Sequence, residues 1–237
     1  MIHEVPNAAA DTTLLEVIVS SVEDALEAEQ GGAGRLEVVR NLELGGLTPT
    51  IDTVQTICRR VSIPVRVMLR CSESHSPGPD EVEGLCQEAE GLASLAIDGL
   101  VLGFLREGQV DVPTLCEVLS RAPNLRATFH RAFDETADPA AEIERLKRVP
   151  QVDRILTSGG VGSWNVKAER LRSYHQAATP KITILAGGGL DRLGIDQLLS
   201  ETGLREFHTG RAVRVPETPF GKVQAQKVSQ LVAAWRY

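Results

Sequence analysis

Short apolar runs alternate with longer amphipathic segments along the whole chain. Each apolar run is rich in Leu, Ile or Val, as expected of parallel strands that are covered on both faces. Each following segment has apolar residues at helical spacing. The predicted strands are 14–19, 35–39, 65–69, 99–102, 125–130, 154–157, 182–186 and 206–209. The predicted helices are 21–30, 50–60, 79–96, 112–121, 139–148, 166–178, 193–201 and 220–235.

Eight strand–helix units within 237 residues favour a closed (β/α)8 TIM barrel of the α/β class over a doubly wound sheet. We therefore expect one barrel domain over 14–237, preceded by an N-terminal extension over 1–13. Three helix starts carry a capping oxygen close to a proline, at Thr48-Pro49, Asp111-Val-Pro113 and Asp138-Pro139.

Ionisable residues follow several of the predicted strands, where a barrel of this kind carries its ligand site. The segment Thr128-Phe-His-Arg-Ala-Phe-Asp134 places an imidazole, a guanidinium and a carboxylate at the end of a buried strand. Here His130 is a candidate for proton transfer, and Asp134 is expected to orient the loop. His208, at the end of the eighth strand, is expected to reach the same pocket.

Two neighbouring strands carry an acid at equivalent places, in Leu15-Glu-Val17 and Leu36-Glu-Val38. Because the outer strand faces pack on helices, Glu16 and Glu37 are expected to point into the barrel and to lie within several ångströms of each other. Two like charges so close raise at least one pKa. Glu16, Glu37 and His130 are therefore candidate catalytic residues or ligands of a divalent metal. The alternative is a buried ion-pair network with Arg66 or Arg70.

Arginines and glycine runs at the other strand ends predict an anion site. Guanidinium groups bind carboxylates or phosphates, and their alternative role is to neutralise Glu16, Glu37 or Asp134. The glycine runs after the sixth, seventh and eighth strands adjoin one another, and exposed amides there cradle phosphate in many barrels. The predicted substrate- or anion-binding residues are Arg70, Arg131, Ser158, Gly159, Gly188, His208, Gly210 and Arg211.

Composition narrows the class of partner. The apolar content of 42%, the charged content of 24% and the net charge of −7 are ordinary for a soluble globular protein, and they disfavour nucleic acid or an anionic membrane as partner. No run approaches the roughly 20 apolar residues of a membrane span. Four scattered cysteines without a Cys-x-x-Cys pair indicate reduced thiols, so we expect a cytoplasmic protein.

Missing motifs narrow the chemistry further. None of the lysines follows a predicted strand, which disfavours a Schiff-base mechanism, and there is no Gly-x-Ser-x-Gly nucleophile element. Carboxylate and histidine acid–base chemistry remains. We therefore expect an isomerase, lyase or hydrolase type of reaction on a small anionic, sugar-like molecule, with no cofactor assigned other than a divalent metal or Cu(I) as alternatives.

In order along the chain, five motifs resemble the CutC family of copper-homeostasis proteins. They are Leu15-Glu16, Gly45-Gly-Leu-Thr-Pro49, the 128–134 segment, Leu156-Thr-Ser-Gly159 and Ala186-Gly-Gly-Gly189. The resemblance runs from the first strand to the last helix. It implies a (β/α)8 barrel, a homodimer or higher homo-oligomer, and a link to copper tolerance or Cu(I) binding without an assigned reaction.

Where members of that family often carry cysteine at the ends of the first two strands, this chain has Ile18, Val19 and Val39. Cu(I) prefers thiolate and thioether ligands. The alternative to an enzyme is thus a Cu(I)-binding or trafficking protein without catalysis, with Cys71 and His75 as a soft ligand pair.

Overall fold

Eight parallel strands close into a barrel in the computed structural model, which describes residues 13–233. The strands are β1 (Leu14–Val19), β2 (Arg35–Val38), β3 (Val65–Met68), β4 (Gly99–Leu102), β5 (Arg126–Phe129), β6 (Val152–Thr157), β7 (Thr183–Ala186) and β8 (Glu206–Thr209). Each strand pairs with the next in the chain, and β8 pairs with β1 to close the sheet. The predicted (β/α)8 barrel is confirmed.

The helices cover the outside of the barrel. They are α1 (Val22–Gln30), α2 (Ile51–Cys58), α3 (Pro79–Ala93), α4 (Val112–Leu119), α5 (Pro139–Leu146), α6 (Trp164–Ala178), α7 (Arg192–Thr202) and α8 (Ala225–Val232). Nearly all the buried apolar side chains form one continuous cluster. Within residues 13–233, no helix combines the length and the apolar character that crossing a bilayer requires.

Local chemistry explains most of the helix starts. Asp111 and Asp138 cap α4 and α5 as predicted, accepting hydrogen bonds from the amides of Thr114 and Ala141. The cap predicted at Thr48 is wrong, because α2 begins after Thr50, whose hydroxyl accepts from Thr53. Thr48 instead bonds to the backbone of Arg70 and so ties the β2 loop to the β3 loop.

Two predicted boundaries move because extra pairing takes up the chain. α8 starts at Ala225 rather than at residue 220, since Lys222–Val223 pairs with Arg214–Val215 in a short hairpin. β6 starts at Val152 rather than at residue 154, since Val152 pairs with Ala127 of β5. The predicted extension over 1–13 falls, except for residue 13, outside the described residues, as does the predicted helix end at residue 235.

Candidate active site

The carboxyl ends of the strands surround a pocket of about 870 Å³. Most of the predicted site residues line it, together with His75 and Asp134. The predicted catalytic and anion-binding residues that line this pocket are Glu37, Arg70, His130, Arg131, Gly188, His208, Gly210 and Arg211. Ser158 and Gly159 line a neighbouring pocket of about 700 Å³, which shares Arg131, Asp134 and Gly188 with the first.

Strand register sets the levels of the two glutamates. Glu16 of β1 lies opposite Arg35 of β2, and Ile18 lies opposite Glu37. The expectation of equivalent places is therefore wrong, since Glu37 lies one inward-facing position nearer the pocket than Glu16. The expected proximity is confirmed, because ligand atoms of Glu16, Glu37 and His208 all lie within 4.8 Å of one another.

Glu16 is fully buried and held between two positive partners. Arg35 Nε donates a hydrogen bond to Glu16 Oε2, and His208 Nδ1 lies 2.9 Å from Glu16 Oε1. Burial alone would raise the pKa of Glu16, but the charge of Arg35 and the bond to His208 outweigh it and hold this pKa far below its ordinary value. Glu16 is therefore a fixed anion.

The pKa of Glu37 shifts in the opposite direction. Burial raises the pKa of Glu37 to about 7, against the attraction of His208. Its Oε2 lies 3.5 Å from His208 Nδ1, yet has no hydrogen-bond partner within residues 13–233. Because the His208 Nδ1 proton is directed to Glu16, the distance to Glu37 reflects charge attraction without a hydrogen bond. Glu37 is the carboxyl group of the pair that can exchange a proton near neutral pH.

His208 connects the two carboxyl groups. Burial lowers the pKa of His208, but Glu37 and Glu16 more than offset this effect and raise it above its ordinary value. The histidine beside Glu16 and Glu37 is thus His208. The prediction that His130 completes a divalent-metal site with these two glutamates is wrong.

A charged layer beneath these residues explains which arginines neutralise them. Arg35 also donates to Glu206 at 2.7 Å, and Glu206 accepts two hydrogen bonds from Arg154. Arg66 binds Asp153 through two hydrogen bonds. The predicted pairing of the two glutamates with Arg66 or Arg70 is therefore wrong, since Arg35 is the partner of Glu16. Arg66 pairs with Asp98 and Asp153 instead, and Arg70 donates to the carbonyl of Glu73.

His130 is buried at the start of a short 3-10 turn, Arg131–Glu135, directly after β5. Its Nδ1 accepts a hydrogen bond from the amide of Ala132 at 3.2 Å, so the proton of the neutral ring is on Nε2. Nε2 has no partner within residues 13–233. Burial, then the charges of His75 and Arg70, hold the pKa of His130 well below its ordinary value. His130 presents a neutral N–H donor.

The lack of a side chain at Gly103 leaves room for the His130 ring. A Cβ atom at Gly103 would lie 2.6 Å from Nδ1 of His130, closer than any normal contact. Gly103 is not among the predicted site residues, although it directly follows the β4 run and a glycine at a strand end can mark close approach of another side chain.

Cys71 and His75 do not form the predicted pair. The thiol of Cys71 is directed to Ser72 and Glu81, and burial raises its pKa, which keeps it protonated. His75 instead lies in the pocket, with its ring 5.1 Å from that of His130 and Nδ1 3.2 Å from Glu135. The two side chains contact different partners.

Three arginines give the pocket rim a positive charge. Arg70 is half-buried and donates to the carbonyl of Glu73, while its Nε has no partner within the described chain. Arg131 donates to Asp134 at 2.9 Å, as the alternative reading of this arginine expected. Arg211 is exposed at the rim.

The glycine loops differ in how their amides are used. The Ser158 amide donates to Asp134 at 3.1 Å. Across residues 13–233, no group accepts a hydrogen bond from the amides of Gly188, Gly189 or Gly210. The loops after β7 and β8 line the pocket with amides that have no acceptor within residues 13–233, whereas the Ser158 amide of the loop after β6 is occupied by Asp134.

One cluster of side chains beside the pocket has the donor atoms that a metal ion could use. Among the described residues, Glu16, Glu37 and His208 are the one group of three potential ligands. Both Glu16 oxygens already accept hydrogen bonds, and Arg35 places a fixed positive charge beside them. Two carboxylates and an imidazole also lack the soft donors that Cu(I) requires. The cluster is suited to proton sharing, and it does not fit Cu(I).

Comparison with known proteins identifies the family, since residues 13–213 match the CutC family. The chain belongs to the CutC family. The family protein CutC of Xanthomonas campestris pv. campestris (strain B100) is 37% identical over 196 residues, which are 82% of this chain and 81% of that protein. The copper homeostasis protein cutC homolog of Homo sapiens is 35% identical over 202 residues, covering 84% of this chain and 74% of the human protein.

The CutC fold is also found among solved structures. A crystal structure of the copper homeostasis protein CutC from Streptococcus agalactiae has a TM-score of 0.77 and is 24% identical, covering 84% of this chain and 98% of that one. This likeness supports the closed barrel of the CutC chain described here.

Proposed function

We propose that this CutC-family protein is an enzyme that moves protons on a small anionic, sugar-like substrate. The observation that carries the proposal is a set of buried polar atoms around one pocket that lack partners within residues 13–233. They are Oε2 of Glu37, Nε of Arg70, Nε2 of His130 and Oγ1 of Thr209. Buried polar atoms in native proteins are almost always paired, so their concentration at one pocket supports a polar ligand there.

The arrangement supports proton abstraction next to a carbonyl group. In this step the ionised Glu37 removes a proton from carbon, and the electron pair of the broken C–H bond forms a C=C bond as negative charge moves to the carbonyl oxygen. The neutral His130 donates its Nε2 proton in a hydrogen bond to that oxygen without needing to lose it. A carboxylate base whose pKa is near neutrality is suited to this task. Isomerase and lyase reactions share this step.

Glu16 and His208 position and tune the base. Glu16 keeps His208 oriented through the 2.9 Å contact, and His208 in turn attracts the charged form of Glu37 at 3.5 Å. In the absence of His208, burial would raise the pKa of Glu37 further and leave less ionised base at neutral pH.

The anionic end of the substrate is assigned to the loops after β7 and β8. The amides of Gly188 and Gly210 are unused donors, and Arg211 adds a positive charge at the same rim. Arg70 and Arg131 extend that charge across the pocket. A carboxylate or a phosphate fits this set of donors.

A screen in deuterated water tests the enzyme directly. Sugars and sugar acids, with and without phosphate, are incubated with the protein, and exchange of carbon-bound hydrogen is followed by NMR. We expect Glu37→Gln to lower the exchange rate at least about 100-fold, the range seen for loss of a general base. Glu43→Gln changes another carboxyl group of the pocket wall and should leave the rate within twofold. Undiminished exchange by Glu37→Gln would reject the proposal.

The names of the human and mouse relatives suggest copper homeostasis as an alternative role. For this chain, that alternative requires Cu(I) binding by Cys71, His75, Met68 or thiols at a subunit interface. Anaerobic titration of Cu(I) against a strong competing chelator decides between them. We expect an affinity no greater than that of an exposed thiol, and tight stoichiometric binding lost in Cys71→Ser would support the copper role instead.

Composition is the basis for a proposed cellular location, and the resemblance to the CutC family is the basis for a proposed assembly. We propose a cytoplasmic homodimer or larger homo-oligomer, with no nucleic-acid or membrane partner. Sedimentation velocity on the purified chain distinguishes a monomer from a dimer or higher assembly.

A further inference from the structure

The carboxylate of Asp134 is surrounded by hydrogen-bond donors from the loop after β6. Thr157 Oγ1 donates to Oδ1 at 2.5 Å, and Ser158 Oγ donates to Oδ2 at 2.8 Å. The Ser158 amide lies 3.1 Å from Oδ1, and Arg131 Nε donates to Oδ2 at 2.9 Å. Four donors from three residues thus converge on two oxygen atoms.

These donors are oriented by the loop itself. The amide of Gly159 donates to Thr157 Oγ1 at 3.1 Å, and the amide of Gly160 donates to Ser158 Oγ at 3.1 Å. Each amide occupies a lone pair of a hydroxyl oxygen, which directs the hydroxyl proton toward Asp134. Both glycines have positive φ, at 73° and 78°, a conformation that favours glycine. The loop backbone therefore orients the two hydroxyl donors, whereas the fourth donor, Arg131, pairs with Asp134 from the turn after β5.

Convergent amide and hydroxyl protons beside a guanidinium are the chemistry of an oxyanion site. We infer that the loop after β6 is an oxyanion site that the chain fills with its own Asp134 carboxylate. One consequence rests on the proposed function, which is that an anionic group of the substrate binds at the loops after β7 and β8 and not at the loop after β6. The Ser158 and Gly159 positions predicted to bind substrate then act on Asp134 instead.

A small anion can reach this site once the Asp134 side chain is removed. Asp134, Ser158 and Gly159 line the pocket of about 700 Å³, which also contains Lys167 and Arg170. Arg170 donates to the carbonyls of Gly159 and Val161 and so adds a positive charge beside the loop. Tetrahedral oxyanions such as phosphate match both the charge and the donors.

Binding of inorganic phosphate to the full-length chain tests the inference. Isothermal titration calorimetry counts the phosphates bound by the wild type, Asp134→Ala and Asp134→Asn, and backbone NMR locates them through the Ser158 amide. We expect Asp134→Ala to bind one phosphate more than the wild type, with a shift of the Ser158 amide signal. Asp134→Asn, which still fills the space, should bind no additional phosphate.

Asp138→Ala is the matched control, because Asp138 is an exposed capping carboxylate whose side chain, within residues 13–233, accepts one hydrogen bond, from the amide of Ala141. It should bind the same number of phosphates as the wild type. If Asp134→Ala does not fold, Asp134→Ser is used instead, because serine also removes the carboxylate and is smaller than aspartate. An unchanged count in the variant that folds, or a phosphate at Ser158 in the wild type, would overturn the inference.

The proposed function is tested separately by Arg211→Ala. Loss of a wild-type phosphate in Arg211→Ala concerns the loops after β7 and β8, whereas the additional phosphate of Asp134→Ala concerns the loop after β6. A wild type that binds no phosphate, with an Asp134→Ala variant that binds one, supports this inference and removes support from the proposed anion subsite.

Discussion

Nδ1 of His208 lies 2.9 Å from Oε1 of Glu16, and this contact assigns a separate role to each buried carboxyl group. Because Arg35 keeps Glu16 ionised, Glu16 can only accept, and the Nδ1 proton of His208 must be directed to it. Glu37 is left as the group without a hydrogen bond to Oε2 within residues 13–233. Of the two carboxyl groups, Glu37 is therefore the one whose charge changes near neutral pH.

Replacing Glu37 by glutamine should change how stability depends on pH. Its pKa in the folded chain, about 7, is above the ordinary value of 4.5, so the contribution of Glu37 to the stability of the wild type falls as pH rises from 4.5 through 7. Glu37→Gln lacks this loss. We expect the two proteins to be similarly stable at pH 4.5 and the variant to be about 3 kcal/mol more stable at pH 8.

Urea unfolding at a series of pH values measures this difference, and Glu43→Gln is the control for removing a carboxyl group from the exposed rim. The control should follow the wild-type curve. A difference between wild type and Glu37→Gln that does not vary with pH would contradict the raised pKa of Glu37.

Arg35→Met should strongly destabilise the fold. It leaves Glu16 buried without its guanidinium and removes one of the partners of Glu206. Breaking a buried ion pair from one side typically costs about 3–5 kcal/mol. Arg192→Met removes an exposed pair with Asp196 on α7 and should cost less than about 1 kcal/mol. Chemical denaturation at pH 7 compares them, and equal costs would show that the Arg35 pair contributes no more than a surface pair.

Gly103→Ala should displace His130 while leaving the barrel folded. The added Cβ would lie 2.6 Å from Nδ1 and 2.8 Å from Cε1 of the His130 ring. Gly84→Ala is the control, since a Cβ there meets nothing within 4 Å and alanine favours a helix. We expect Gly103→Ala and His130→Ala both to lose proton exchange, and we expect the His130 ring signals of Gly103→Ala to be shifted. Wild-type ring signals in Gly103→Ala would show that the ring does not need this space.

His130 should remain neutral across the physiological pH range. Burial and the neighbouring His75 and Arg70 lower its pKa, and the bond from the Ala132 amide leaves the proton on Nε2. Two-dimensional 1H–15N NMR of the imidazole, with assignment by His130→Gln, reports both properties. We expect the Nε2–H tautomer and no titration near the ordinary pKa of histidine, 6.5. A titration near pH 6.5 would mean that His130 can carry charge in the pocket.

The barrel could be predicted from the sequence because each strand buried on both faces reads as an apolar run. The same rule placed Glu16 and Glu37 inside, since a charged residue within such a run must point to the barrel interior. Arg35 obeys the rule too, because Arg35 and Glu37 alternate and share one face of β2. That signal was available, and it would have identified the charged layer.

Register and loop contacts were not predictable in this way. The offset that pairs Glu16 with Arg35 is set by closure of the whole barrel, and no local motif records it. The Asp134 carboxylate, in the turn after β5, contacts Ser158 in the loop after the neighbouring strand β6. Sequence spacing identified both residues as polar loop positions but could not show that one occupies the donors of the other.

Titration of the Glu37 side chain tests directly whether this carboxyl group can exchange a proton at neutral pH. Carbon-13 NMR of the chain labelled at glutamate carboxyl carbons follows each group with pH, and Glu37→Gln assigns the signal of Glu37. We predict a midpoint near 7 for Glu37, while the Glu16 signal shows no protonation down to pH 3. A midpoint for Glu37 at or below 4.5 would contradict the account, since Glu37 would then be an ordinary carboxylate with no proton to exchange at neutral pH.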